Sequence, residues 1–351
     1  MNARKFFATV AVPVFFLAPS LAPACTGGAL IAQNGGVAVG RTLEFGKPLD
    51  SVLAIWPAGS EFTGTTSTGN NGLKFTSQYG FIGATVGSLN DQILDGLNDQ
   101  GLNVGLFYFP GFAQYPEATA ENTAKGLSPA QVSTWILANC ATVEDVKARL
   151  GEISVLPVVL DVIGIVPDVH FKVQDASGQS IVIEPRGGEL VVHDNPTRVL
   201  TNAPDFPWMM TNLSNYLNLS SGYPAAKKIG DVSIAAFGMG GGAFGLPGDF
   251  TPPSRFVRMN FFLLNALPQP DTTAAVATMF HFLNNFDIPP GAAMPPAGTA
   301  EKSPDYTTWT SVSDLEKKQF HWKTFGQQNV QVIDLAQALA VAGDNMITVE
   351  M

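Results

Sequence analysis

The sequence predicts an α+β fold built in layers, and three observations carry that reading. β-like runs come in blocks, over residues 28–56, 103–109, 170–201 and 306–334. Helix-like runs gather in two blocks between them, residues 128–149 and 254–284, with a short terminal helix. The strand–helix alternation of a doubly wound sheet is missing, and so is a glycine-rich phosphate loop with its lysine.

Taken in order, residues 28–33 and 37–45 read as two strands around Asn34-Gly35-Gly36, and an Asn-Gly step between β runs signals a hairpin. The first strand would begin at Cys25 and the second would end in Arg41-Thr42-Leu43-Glu44. Alternation puts Arg41 and Leu43 on one face, Thr42 and Glu44 on the other. Residues 52–56 make a third strand, and the Gly/Ser/Thr/Asn-rich residues 59–72 read as a mobile loop. Residues 95–101 form a turn feeding a strand that ends in the aromatics Phe107, Tyr108 and Phe109, extended by Phe112 and Tyr115. Aromatics at a strand end are core by default and substrate wall otherwise. Ser128-Pro129-Ala130-Gln131 is a capping box with proline at the first helical position, and Thr142 opens a second helix.

Strands follow at 170–174, 181–185, 190–193 and 198–201, a meander that gives out at Thr201-Asn202-Ala203-Pro204. Residues 222–250 are irregular and glycine-rich. Ser254 is a candidate cap for a helix through residues 258–267, and residues 272–284 form another. Strands return at 306–312, 319–324 and 330–334.

The totals bound the function. With 46% hydrophobic and 14% charged residues the chain is globular rather than disordered. A net charge of -10 disfavours nucleic acid and anionic membranes as partners. After the amino terminus no apolar run reaches the length of a membrane span, because residues 155–166 are broken by Pro157 and Asp161. The four histidines are scattered and no paired ligand spacing appears, so no metal or cofactor is called for.

The amino terminus carries the sharpest signal. Arg4 and Lys5 precede an apolar run over residues 6–17, and Ala22-Pro23-Ala24 is an Ala-x-Ala exit. Residues 1–24 therefore read as a signal peptide, and residues 25–351 as one exported domain, periplasmic or secreted. Cleavage after Ala24 would give Cys25 both a thiol and an α-amine of pKa about 7.7–8.0, a base suited to taking the thiol proton. Lipid attachment at Cys25 is the competing reading, although Leu21 stands one position too far for it. Cys140 lies in a helical run and reads as core, with both thiols free.

Several segments together resemble the choloylglycine hydrolase family of N-terminal-nucleophile hydrolases, which includes bile salt hydrolases and penicillin V acylases. They are Cys25-Thr26, Gly40-Arg41-Thr42-Leu43-Glu44, Asp95-Gly96-Leu97-Asn98-Asp99-Gln100-Gly101-Leu102, Leu200-Thr201-Asn202-Ala203-Pro204, residues 245–256 and residues 280–285. The resemblance implies a four-layer αββα sandwich with the nucleophile opening a central strand. It implies Cys25 as nucleophile and, through its amine, base. Arg41 and Arg255 would flank the thiol and favour the thiolate, while Asn202 and the Tyr108 N–H would receive the oxyanion. Glu44 stands where most members have Asp; the charge survives with one more methylene, so activity is expected with altered positioning.

The implied reaction is hydrolysis of a small linear amide through a thioester. Phe107, Tyr108, Phe109 and Phe112 are the candidate substrate wall. Tyr108 occupies the place where penicillin acylases of the family tend to have Tyr and bile salt hydrolases Asn, which favours a phenoxyacetyl-type acyl group. N-acyl homoserine lactones and bile-acid conjugates are the alternatives, and a lipid-anchored, non-catalytic envelope binding protein is the alternative of another class. The stretch 212–248 resembles a segment that wraps a neighbouring subunit in relatives, which implies a homotetramer.

Overall fold

The Asn34-Gly35-Gly36 turn closes the expected hairpin, with Gly35 at φ 87°, a left-handed backbone open to a residue without a Cβ. Its strands, Cys25–Ile31 and Val37–Phe45, pair antiparallel with Cys25 opposite Leu43 and Gly27 opposite Arg41. In a computed structural model that describes residues 24–87, 89–297 and 303–351, this hairpin starts a five-stranded sheet. The sheet continues through Tyr306–Asp314 and Gln319–Thr324 to Gln331–Asp334. The leader read at residues 1–24 lies outside the described residues except for Ala24.

An eight-stranded sheet faces it. Its order is Glu189–Asp194, Ser180–Arg186, Val169–Gln174, Asn103–Tyr108, Leu89–Asn98, Phe81–Val86, Val52–Trp56 and Ile347–Glu350. The helices Pro252–Leu264 and Thr272–Leu283 cover the outer face of the smaller sheet, and Val132–Asn139 covers the Leu89–Asn98 strand of the larger. The architecture is an α+β sandwich in the order helix, sheet, sheet, helix. Both sheets are covered on both faces, which is why Val37–Phe45 is buried along almost its whole length.

The space between the sheets is partly polar, and hydrogen bonds lock them together. Ser311 Oγ donates to Asp95 Oδ2 at 2.6 Å, and Asn103 Nδ2 reaches Ser313 Oγ at 3.3 Å. Gly27 lets the sheets close: a Cβ there would sit 2.6 Å from Phe107 Cζ. Gly27→Ala is expected to cost about 1–3 kcal/mol by overpacking, read as a lowered melting temperature.

Several elements differ from the sequence reading. Residues 59–72, expected as loop, carry part of a small hairpin, Glu61–Thr63 against Lys74–Thr76. Residues 95–98, expected in a turn, end the Leu89–Asn98 strand, so the turn spans only the residues after it. The helix assigned to Ser254 starts at Pro252 with Thr251 as its cap residue. Two prolines suit that first turn because their missing N–H groups would have no helical partner, and Ser254 Oγ instead binds Asp249 Oδ2 at 2.7 Å. Of residues 198–201 only Leu200 pairs, as an isolated bridge to Gly27. Cys25 and Cys140 are both free.

Candidate active site

Beyond the Asp95–Gly105 pair the strands Leu89–Asn98 and Asn103–Tyr108 part. The carbonyls of Leu94 and Leu106 then face a gap, and a buried carbonyl without a donor is costly. Arg41 fills the gap from the opposing sheet: Nη1 donates to both carbonyls, at 2.7 and 2.6 Å. Its guanidinium lies 4.5 Å from the centroid of the Phe107 ring, and Nη2 donates to Cys25 Sγ at 3.0 Å. The cation beside the thiol is thus fixed by backbone rather than by a carboxylate.

Asn202 and Arg255 approach Cys25 from its main chain. Asn202 Oδ1 accepts from Cys25 N at 2.8 Å and from Arg255 Nη2 at 2.7 Å. With the oxygen so occupied, Nδ2 must point the other way, and it donates to the Tyr108 carbonyl at 2.8 Å. That uses one of its two hydrogens. Arg255 Nη1 donates to the Cys25 carbonyl and, at 2.8 Å, to Thr26 Oγ1, while Nε binds the Phe250 carbonyl at 2.8 Å. Burial pulls the pKa of Arg255 down to about 10, against the opposing pull of Glu44 and Cys25.

Glu44 is fully buried on the helix side of the sheet, as alternation requires. Its Oε1 accepts from Thr307 Oγ1 at 2.9 Å, and its backbone N–H donates to the Ala24 carbonyl at 2.9 Å. Ala24 and Glu44 are therefore neighbours. Burial pushes Glu44 up to about 7, although Arg255 and the hydroxyls beside it pull the other way.

Arg41 and Arg255 both pull the Cys25 thiol pKa down, as expected, although burial outweighs them and leaves it above its ordinary value. Two expectations need correction. Arg255 touches the carbonyl of Cys25 rather than its sulfur. Phe107, Phe109 and Phe112 do not line the cleft at Cys25. Strand alternation turns Leu106 and Tyr108 toward the cleft and Phe107 to the inter-sheet face, under Arg41. Phe109 stacks on His170 with ring centroids 4.2 Å apart, and Phe112 packs on Phe109.

That cleft opens where the strands part. Besides Cys25 its wall is apolar apart from the phenol of Tyr108, with Leu43, Phe45, Leu94, Leu106 and Val169 among the lining residues. Sequence reasoning passed over Thr26 and Thr307, whose hydroxyls satisfy Arg255 and Glu44, because single threonines in strands carry no signal. Among the described residues no three His, Cys, Asp or Glu side chains converge as a metal site requires, and no helix is long and apolar enough to cross a membrane.

A family model described as linear amide C-N hydrolases, choloylglycine hydrolase family, matches residues 25–347. The chain is 36% identical over 313 residues to an uncharacterized protein of Paramecium bursaria Chlorella virus 1, covering 88% of this chain and 99% of that one. It is 30% identical to the bile salt hydrolase/transferase of Clostridium perfringens, over 89% of this chain and 92% of the relative. With the penicillin V acylase of Pectobacterium atrosepticum it shares 25% identity, over 84% and 76% of the two chains. A crystal structure of a variant of the conjugated bile acid hydrolase from Clostridium perfringens superimposes with a TM-score of 0.82 at 29% identity, covering 93% of this chain and 97% of that one.

Proposed function

The chain belongs to the choloylglycine hydrolase family of linear amide C-N hydrolases, and from that premise we propose that it is an N-terminal-nucleophile amidase armed by removal of residues 1–24. The observation that carries the proposal is the placement of Cys25. Its sulfur meets Arg41 at 3.0 Å at an apolar cleft, and its nitrogen is held at 2.8 Å by Asn202 Oδ1.

In the proposed cycle the freed α-amine takes the thiol proton and the sulfur attacks the substrate carbonyl. A base is required because burial raises the thiol pKa above its ordinary value. The second Nδ2 hydrogen of Asn202 and the Tyr108 N–H, already directed at the sulfur, receive the oxyanion. Collapse expels the amine, which takes back the proton, and leaves a thioester at Cys25. Water then attacks the thioester with the α-amine again as base, releasing the acid.

An aryl or alkyl acyl group suits the apolar wall, and Tyr108 in it favours a phenoxyacetyl group, so the first reading is penicillin V acylase-like. A bile-acid conjugate is the second reading, favoured by 30% identity to a bile salt hydrolase/transferase against 25% to a penicillin V acylase. Hydrolysis rates on penicillin V, glycine and taurine bile-acid conjugates, and acyl homoserine lactones of graded length rank the readings. No turnover of any of them would count against the amidase.

Export to the periplasm or beyond is part of the same proposal. Mass spectrometry of the mature protein is expected to find a free Cys25 amine; a diacylated Cys25 would favour the lipid-anchored binding protein instead. A homotetramer is also proposed, supported by the stretch 212–248, where Leu217, Phe237, Met239 and Phe244 are exposed. Light scattering on the purified protein tests it, and a strict monomer at micromolar concentration would rule it out.

A further inference from the structure

The two oxyanion donors come from different parts of the fold. Tyr108 ends a strand of the eight-stranded sheet, whereas Asn202 sits on a loop tied to the nucleophile strand by the Gly27–Leu200 bridge. Asn202 Nδ2 joins the two directly through the Tyr108 carbonyl, and His170 supplies a second tie that fixes the backbone just before Asn202. It lies in the Val169–Gln174 strand next to Val169, the residue paired with Tyr108. Its Nε2 is 3.1 Å from the carbonyl of Thr201, the residue before Asn202. A carbonyl only accepts, so Nε2 carries the proton.

The ring is held from three sides. Phe109 stacks on it with planes 8° apart, and both the ring and Glu184 are buried to within 1%. Glu184 Oε1 lies 3.5 Å from His170 Nδ1 and accepts from the Phe206 N–H at 2.8 Å; Oε2 lies 3.4 Å from His193 Nε2. When Nδ1 is protonated as well, it faces Glu184 as a donor, and the imidazole cannot turn away from Thr201 without losing that contact. Neither His170 nor Glu184 lines the cleft or touches Cys25.

We propose that His170, backed by Glu184, is a positioning residue that sets the spacing of the two oxyanion donors; the inference rests on the oxyanion reading of Asn202 and Tyr108 given above. Its signature is selective. Acylation of Cys25 passes through an oxyanion, whereas alkylation of the same sulfur does not.

The test compares p-nitrophenyl acetate, followed as single-turnover nitrophenol release, with iodoacetamide on the mature protein. His170→Leu is expected to slow acylation by about tenfold or more while leaving alkylation of Cys25 unchanged. His170→Gln, which keeps an N–H for the Thr201 carbonyl, is expected to restore most of the rate. Wild-type acylation in His170→Leu, or an equal slowing of both reactions, overturns the proposal. Should the leucine variant not fold, the same comparison on His170→Phe, which keeps a ring to stack on Phe109 but offers no N–H, decides, with the same selective loss expected. Asn202→Ala separates the two levels. If it acylates normally, the oxyanion reading itself fails; if it is slow while His170→Leu is not, only the present inference fails.

Discussion

Cys25→Ser is expected to fold and to lose amide hydrolysis by on the order of 10⁴-fold or more. Folding should survive because a hydroxyl replaces a thiol of similar shape and can still accept from Arg41 Nη2, now 3.0 Å from the sulfur. Turnover should not, because the site is built around a thiol. An ordinary thiol at about 8.5 is matched to an α-amine at about 7.7–8.0, whereas a serine hydroxyl lies far above that range. A companion measurement isolates the base. Protein that keeps any residue before Cys25 has a peptide nitrogen there, which donates to Asn202 Oδ1 but cannot take a proton. It should be as inactive as the serine variant, with an unchanged melting temperature. Turnover within tenfold of wild type in either form would falsify the nucleophile-and-base assignment.

The legible part of this site was what local pattern controls. Alternation along Arg41-Thr42-Leu43-Glu44 placed the guanidinium and the carboxylate on opposite faces, and there they are, one between the sheets and one under the helices. The Asn-Gly turn gave the hairpin that presents Cys25 opposite Leu43. The same alternation applied to Leu106-Phe107-Tyr108 would have separated Phe107 from the cleft. Grouping the aromatics by composition hid that, since a run of aromatics looks alike from both faces of a strand.

Other features depended on contacts between distant segments. Thr307 meets Glu44 across 263 residues of sequence, and only a register shift between Thr307 and Trp309 brings it opposite. The parting of strands that creates both the Arg41 socket and the cleft is likewise a property of pairing, and nothing in Leu94 or Leu106 announces it. Resemblance supplied Asn202 and Arg255. Geometry changed what Arg255 does, from flanking a sulfur to holding a carbonyl, a threonine and an asparagine in one orientation.

Glu44→Gln should separate stability from activity, because the ionised carboxylate is costly where it stands. Its pKa rises on folding from 4.5 to about 7, chiefly by burial. For a raised carboxylate the sign is fixed: the folded state holds the proton more tightly, so this group's favourable contribution is complete below about pH 4.5 and is lost as pH rises through about 7. The full shift corresponds to about 3 kcal/mol. Glutamine resembles the protonated form at every pH and escapes that loss. The variant should therefore melt at a higher temperature than wild type at about pH 8 and alongside it at about pH 4. Activity should move the other way. If the carboxylate must be ionised to orient the Cys25 amine, wild-type kcat rises with pH through about 7, and Glu44→Gln falls by on the order of 100-fold across the range. Glu44→Asp keeps the charge but withdraws it from Thr307 Oγ1, now 2.9 Å away, and should retain most activity. Thermal melts and pH–rate profiles of the three proteins check the argument. A glutamine variant less stable than wild type at about pH 8 would mean that the attraction of Arg255 and Arg41 outweighs the burial of the carboxylate.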